Sequence, residues 1–244
     1  MYNDRSCAAD PEGRGGGGGP VRRTTALWLG LLAVLPLTLR GGTAGRFPFE
    51  TFSSPRSFYD SWKIKKWRGT VEVNFLQEAG MDFVKLTCAS SSWAFVHKAD
   101  AVDLSRMPVL AWSWKALALA KGGDGRRNET DDQTAAVYVF FPGTGLTARW
   151  DSRIVGYTWE TKPPKGTFYT SPKNEKTKVF VLRNETDPLD SWQSESRNVA
   201  EDFKKAFGLN EVPRPQAVCF QIDSDDTRSR AESALGPLDF EPAP

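Results

Sequence analysis

The sequence predicts a mostly β chain: one β-sandwich of the jelly-roll kind, with one amphipathic helix. Three observations lead there. Two runs, VLAWSWKALAL (109–119) and AAVYVFF (135–141), are apolar on both faces of an extended chain. Successive strand side chains point to opposite faces, so such runs need cover on both sides, as in stacked sheets. Short alternating segments recur between turn signals every ~10–15 residues, the spacing of a sandwich or jelly roll. A single stretch, SESRNVAEDFKKAFG (194–208), carries a helical period, with Val199, Phe203 and Phe207 recurring on one face.

The elements follow in chain order. Residues 47–62 read as irregular, with aromatics that dock on the sandwich. WRGTVEVNFL (67–76) begins the sheet, and DFVKLTCAS (82–90) sets Phe83, Lys85 and Thr87 against Val84, Leu86 and Cys88. SWAFVHK (92–98) is the next strand. Asp100 caps one helical turn over 100–106. The two doubly apolar runs come next and are the central strands. IVGYTWE (154–160) is a strand closed by Pro163-Pro164, which cannot donate to a ladder. A short GTFYTS segment and a clear strand, TKVFVLR (177–183), precede the turn-rich NETDPLDSW. In the helix, Glu201 and Asp202 lie near the start, Lys204 and Lys205 near the end, and Gly208 stops it, as dipole and C-cap chemistry require. AVCFQID (217–223) is the last strong strand and LGPLDFE closes the sheet. The total is about nine or ten strands with no fixed repeat.

Residues 1–44 are assigned outside the domain, which occupies 45–244. The first 20 are Gly-rich and polar. Arg22-Arg23, the apolar run ALWLGLLAVLPLTL and then RGGTAG form the basic, apolar and small-residue parts of a signal peptide. That run is shorter than the roughly 20 residues that span a bilayer, so no stable membrane span remains after cleavage. An alternative start at Val21 would leave residues 1–20 untranslated and give an ordinary signal of about 24 residues. The mass of the unprocessed precursor separates the two starts. Export places the domain in the periplasm or outside the cell. Cys88 and Cys219 then either pair or stand as two buried small hydrophobes; spacing leaves both open.

Lys+Arg number 32 against 30 Asp+Glu, a balance that excludes a nucleic-acid surface or a strongly cationic membrane binder. His97 is the only histidine, so a Ser–His–Asp triad would depend on a residue placed as an ordinary strand side chain, and zinc lacks ligands. Asp223-x-Asp225-x-Thr227 after an apolar strand copies the nucleophile motif of haloacid-dehalogenase-type phosphatases. Only 17 residues follow Thr227, so the fold that motif needs is absent and the phosphatase reading is rejected. Asp223, Asp225 and Asp226 offer hard oxygens of the kind Ca²⁺ takes, and also suit an Asp-rich turn that caps itself. Loop 121–134 joins the central runs; its length marks it as functional or disordered. Gly122, Gly123 and Gly125 loosen it, and Arg126, Arg127, Glu129, Asp131 and Asp132 give it polar reach.

Several segments, VLAWSWKALALAKGGD, ETDDQTAAVYVFFP, YTWE, VFVLRN, the W-Q-S-E-S-RNVAEDFKKAFG stretch and IDSDDTRSRAES, resemble in that order a bacterial exported family known as domain of unknown function 3047. The resemblance implies one secreted or periplasmic domain and no particular reaction. It directs attention to Lys115, Asp131, Asp132, Arg183, Glu195, Arg197, Asn198, Asp202, Asp223, Asp225 and Thr227. Asp226 replaces the asparagine more usual in that family, which adds a charge to the turn.

Together these observations describe an exported, non-catalytic module for a glycan or another envelope ligand. The candidate ligand-binding residues are Lys115, Arg126, Arg127, Asp131, Asp132, Arg183, Glu195 and Arg197, and Asp223, Asp225 and Asp226 are candidate Ca²⁺ ligands. Two alternatives stand beside it. One is a carboxylate-dependent hydrolase of envelope carbohydrate using Asp132, Glu195 or Asp223. The other is a structural envelope protein whose polar loop meets a protein partner.

Overall fold

The computed structural model describes residues 46–143 and 151–244. The leader and signal assigned to 1–44 lie outside the described residues. In chain order come β1 (Phe47–Glu50), α1 (Pro55–Ser61), β2 (Trp62–Arg68), β3 (Val71–Glu78), β4 (Met81–Ala89) and β5 (Ser92–Lys98). Then follow β6 (Val109–Ala118), β7 (Ala135–Phe141), β8 (Arg153–Trp159), β9 (Phe168–Thr170) and β10 (Thr177–Arg183). The chain closes with β11 (Gln193–Asn198), α2 (Val199–Phe207), β12 (Ala217–Asp223) and β13 (Arg230–Glu241).

These strands form two stacked sheets, the predicted sandwich. The first has the order β11-β6-β13-β4-β3, with β1 also paired to β13; the second has the order β2-β5-β12-β7-β8-β10-β9. The pairings are antiparallel except β8 with β10, which run parallel. Both doubly apolar runs are interior strands, but of different sheets: β6 lies between β11 and β13, and β7 between β12 and β8. Loop 121–134 therefore crosses from sheet to sheet.

The main core lies between the sheets. Trp112 and Trp114 from β6 meet Tyr157 and Trp159 from β8 at ring-centroid distances of 5.4 Å and 6.0 Å. All four are buried, and full burial of a large apolar side chain contributes ~1.5–3 kcal/mol. The alternate residues of the second sheet build a smaller apolar layer on its outer face, from Ala94, Val96, Tyr138, Phe140, Ile154 and Cys219. Cys88 on β4 belongs to the core between the sheets and Cys219 to that outer layer; both are buried and no disulfide joins them. The question left open by spacing resolves as two buried thiols.

Several local expectations change. Residues 47–62 are ordered as β1 and α1, not irregular. Ser54 caps α1 by accepting the Ser57 amide at 3.3 Å, and Pro55 opens it. Its one buried side chain, Phe58, stacks on Trp62 at 5.5 Å and closes one end of the core. The single strand expected over 67–76 is two strands in two sheets, turned at Gly69 with φ +60°. No helical turn forms at 100–106; Asp103, rather than Asp100, organises that bend by accepting from the Ser105 amide and hydroxyl.

The helix predicted over 194–208 is shorter, and it is one of two helices among the described residues. Residues 194–198 are strand, paired with β6 from Ser194 opposite Ser113 to Asn198 opposite Val109. Ser194 and Ser196 are exposed while Glu195 and Arg197 are half-buried, a period of two that a helical reading of the same residues overlooks. Asn198 then caps α2, accepting the Glu201 amide at 3.0 Å, and Gly208 ends it at φ +66°.

Candidate functional site

Loop 121–134 is folded back on itself. The Asp124 amide donates to the Thr130 carbonyl at 2.7 Å, around a single 3-10 turn at Asn128–Thr130. A Cβ on Gly123 would lie 2.6 Å from the Asp132 carbonyl oxygen, so glycine there serves close packing rather than looseness. Asp132 is fully buried and staples the loop to the turn after β12. It accepts the Asp226 amide at 3.1 Å, the Thr227 amide at 2.7 Å and the Thr227 hydroxyl.

A second anchor lies across the loop. Glu160, at the end of β8, is buried and accepts from the Gly125 amide at 2.7 Å, the Thr158 hydroxyl at 2.8 Å and the Tyr169 hydroxyl at 2.7 Å. It ties the loop to the segment carrying β9. Burial, opposed by those three donors, pushes the Glu160 carboxyl up to about 7. A Cβ on Gly125 would sit 2.0 Å from the Tyr169 hydroxyl oxygen, so no larger residue fits that approach.

These anchors hold residues 169–177 over the outer face of the second sheet, and a cleft of about 60 Å³ lies beneath. Tyr138, Phe140, Ile154 and Val179 give it an apolar wall; Gln133, Gln221, Asn174, Ser92 and Thr177 give it polar groups; Asp131, Asp223 and Lys173 bring charge. Lys173 pairs with Asp131 at 3.0 Å and with Asp226 at 2.5 Å. The Gln133 side-chain amide donates to Asp131 at 2.7 Å, and that of Gln221 to Asp223 at 3.0 Å. Burial raises the Asp131 carboxyl, with Lys173 opposing. Burial, reinforced by Asp132 and Asp225, raises Asp223 well above the carboxylate range.

Asp132, Asp225 and Asp226 each bring one carboxylate oxygen within 4.8 Å of the others. Hard oxygens so grouped can contribute to the six to eight ligands of Ca²⁺. Asp132 joins Asp225 and Asp226 in this group, and Asp223 lies beside it in the cleft lining, its carboxylate accepting from the Gln221 side chain and from the Asp225 amide. Asp132 also does the work of an Asp-rich turn, since its carboxylate already accepts three protein donors, and Asp226 is already paired with Lys173.

The sequence candidates therefore divide. Asp131 and Asp132 belong to the cleft and its corner. Arg126 turns back on Asp124 at 2.7 Å, and Arg127 is exposed and takes no part in the cleft lining. Lys115 is buried on the outer face of the first sheet, pairing with Glu78 at 2.8 Å and Asp190 at 2.9 Å. Arg183, Glu195 and Arg197 form a seam beside β11. There Glu195 accepts from Arg183 at 2.6 Å and from the Trp114 indole at 3.0 Å, and Asp202 accepts from Arg197 and from the Tyr157 hydroxyl. The candidates missed are Gln133, Tyr138, Glu160, Tyr169, Lys173 and Gln221. Gln221 left a trace: one amide inside the apolar strand AVCFQID. Lys173 left none, because its role exists only through its distance to Asp131.

The sequence profile described as "Protein of unknown function (DUF3047)" matches residues 59–239. No curated protein matches the sequence. Among solved structures, a family 11 carbohydrate-binding module from Clostridium thermocellum, in complex with a mixed-linked tetrasaccharide, is 9% identical with a TM-score of 0.46, covering 82% of this chain and 96% of that one. The CBM22-1 xylan-binding domain of Paenibacillus barcinonensis Xyn10C is 11% identical at 0.36, covering 82% and 94%. The xyloglucanase domain of NopAA from Sinorhizobium fredii, with cellobiose, is 10% identical at 0.43, covering 72% and 92%. Binding proteins and an enzyme stand side by side at similar distance, and likenesses this remote transfer no ligand and no reaction.

Proposed function

The chain belongs to the DUF3047 family, which brings no activity with it, and from the cleft we propose that it is a non-catalytic module binding a glycan or another hydroxyl-rich ligand of the cell envelope. The observation that carries this reading is the lining of the cleft. Tyr138, Phe140 and Ile154 give an apolar and aromatic wall, and the planar polar groups of Gln133, Gln221, Asn174 and Asp131 share the lining with it. Sugars present an apolar face and a rim of hydroxyls, which such a wall and such groups complement. The signal peptide assigned to the leader supports export to the periplasm or beyond. We further propose Ca²⁺ at Asp132, Asp225 and Asp226, where it would brace the corner that holds the cleft open.

A melting-temperature screen of the purified chain against envelope glycans, each in calcium and in EDTA, tests both parts. A ligand that binds only the folded state raises the melting temperature by mass action. Gln221→Ala and Gln133→Ala should abolish that rise. No rise with any glycan overturns the reading, and a rise unaffected by EDTA removes calcium from it.

One observation favours a second reading. Asp131 and Asp223 both line the cleft and both are raised by burial, as a carboxylate-dependent hydrolase requires of its general acid. Release of reducing ends from a bound glycan, lost in Asp223→Asn, would establish it.

A further inference from the structure

Trp67 stands beside the cleft on the outer face of the second sheet. β2 is the edge strand of that sheet and pairs with β5. Its register runs evenly from Trp62 opposite His97 to Lys66 opposite Trp93, and then Arg68, not Trp67, stands opposite Ser92. Trp67 is thus the extra residue of a β-bulge, a feature that re-aims a side chain. Trp62 and Ile64 pack on the core between the sheets; Trp67 packs on the outer apolar layer, whose Tyr138, Phe140 and Ile154 form the cleft wall. The lining of the cleft reaches β5 at Ser92, and β2 is the next strand, about 4.8 Å further on.

Trp67 is half-buried, so part of its ring meets solvent. Among the described residues its indole N–H has no protein acceptor, whereas those of Trp62, Trp93, Trp114, Trp159 and Trp192 each donate to one. An aromatic ring with a spare donor complements the apolar face and hydroxyl rim of a sugar. The cleft alone is too small for a ligand of several rings, at about 60 Å³ against ~300–1,000 Å³ for sites that engulf one. The 169–177 segment joins β9 to β10 and bounds the cleft on that side, fastened by Tyr169 to Glu160 and by Lys173 to Asp131 and Asp226. The opposite side, over Ser92, leads to Trp67. On the reading of the cleft as a glycan site, we propose that Trp67 is a second subsite. Its ring stacks on the sugar next to the one in the cleft, so that the bound oligosaccharide runs across the strands from β12 over β5 to β2.

The experiment is calorimetric titration of the full chain with N-acetylglucosamine and with glucose, each as the single sugar and as its β-linked dimer. In the series that binds, the dimer should bind about tenfold more tightly than the single sugar. Trp67→Ala should erase that gain and leave the affinity for the single sugar unchanged, and Trp67→Phe, which keeps a ring, should retain part of it. Oxidation of the unaltered chain by N-bromosuccinimide, read by peptide mass, needs no variant: the dimer should shield Trp67 and the single sugar should not. A gain that is absent, a gain that survives Trp67→Ala, or a Trp67 oxidised equally with and without the dimer overturns the second subsite and leaves the glycan reading standing. Loss of the single sugar as well, in a Trp67→Ala variant that still melts cooperatively, makes the residue part of the cleft itself and also overturns the inference. Binding of neither series removes the inference and the glycan reading together.

Discussion

The seam beside β11 and the cleft over β12 both bury several charged side chains, yet they are built differently. In the seam each carboxylate meets an arginine: Asp202 with Arg197 at 2.5 Å, Glu195 with Arg183 at 2.6 Å, and Asp187 with Arg183 at 3.2 Å. Around the cleft, Asp132, Asp223 and Glu160 instead take donors from amides and hydroxyls, and no cation lies within 4 Å of them among the described residues. A buried charge pair that neutralises itself has little left to offer a ligand. A buried carboxylate satisfied by neutral donors keeps its charge or takes up a proton, and so stays responsive. Charged residues alone do not mark a site. The way in which their charge is met does.

That difference has opposite signs in pH, and here the largest effect is expected. Glu160 binds its proton more tightly folded, at about 7, than unfolded, at 4.5. Its contribution is fully present below 4.5 and is lost as pH rises from 4.5 to 7, by about 3 kcal/mol. Asp187 in the seam lies below its usual 3.8, held there by the Asn184 amide, Lys165 and Arg183 against burial. Its contribution is present above 3.8 and is lost as pH falls further. Urea unfolding from pH 3 to 8 should show Glu160→Gln flattening the neutral side and Asp187→Asn the acid side. If both variants flatten the same side, the contrast between the regions fails.

Next in size is Asp202→Ala. It leaves the half-buried Arg197 and the buried Tyr157 hydroxyl without their acceptor, and should reduce stability by about 2.5 kcal/mol. Ligand-induced shifts in melting temperature should survive, because the seam is apart from the cleft; their loss would join the two regions. Asp132→Asn should destabilise by about 2 kcal/mol, since three donors lose a charged acceptor. It should also remove any melting-temperature rise produced by calcium; a rise that persists would place the ion elsewhere. The smallest effect is expected at Lys162, exposed and paired with exposed Glu185 at 3.0 Å. Lys162→Ala should change the unfolding free energy by under ~0.5 kcal/mol, and a larger change would mean that surface pairs matter here as much as the seam.

Most of the strands and the class of fold were legible in the residues alone. Val109–Ala118 and Ala135–Phe141 are apolar on both faces, and the demand for cover on both faces is a local property that any sandwich must satisfy. α2 was equally legible, because Val199, Phe203, Phe207 and Gly208 carry period and stop signal together. Where two periods overlap, at 194–198, pairing with β6 settled the choice for strand. The assembled fold was needed to put the two apolar runs in different sheets, and to bring Asp132 to Thr227 across 95 positions. It was needed as well to set Lys173 between Asp131 and Asp226, and Tyr169 against Glu160. Burial periodicity is written residue by residue along the chain, whereas a contact between distant residues depends on how whole strands are ordered, and that order leaves no mark on either residue.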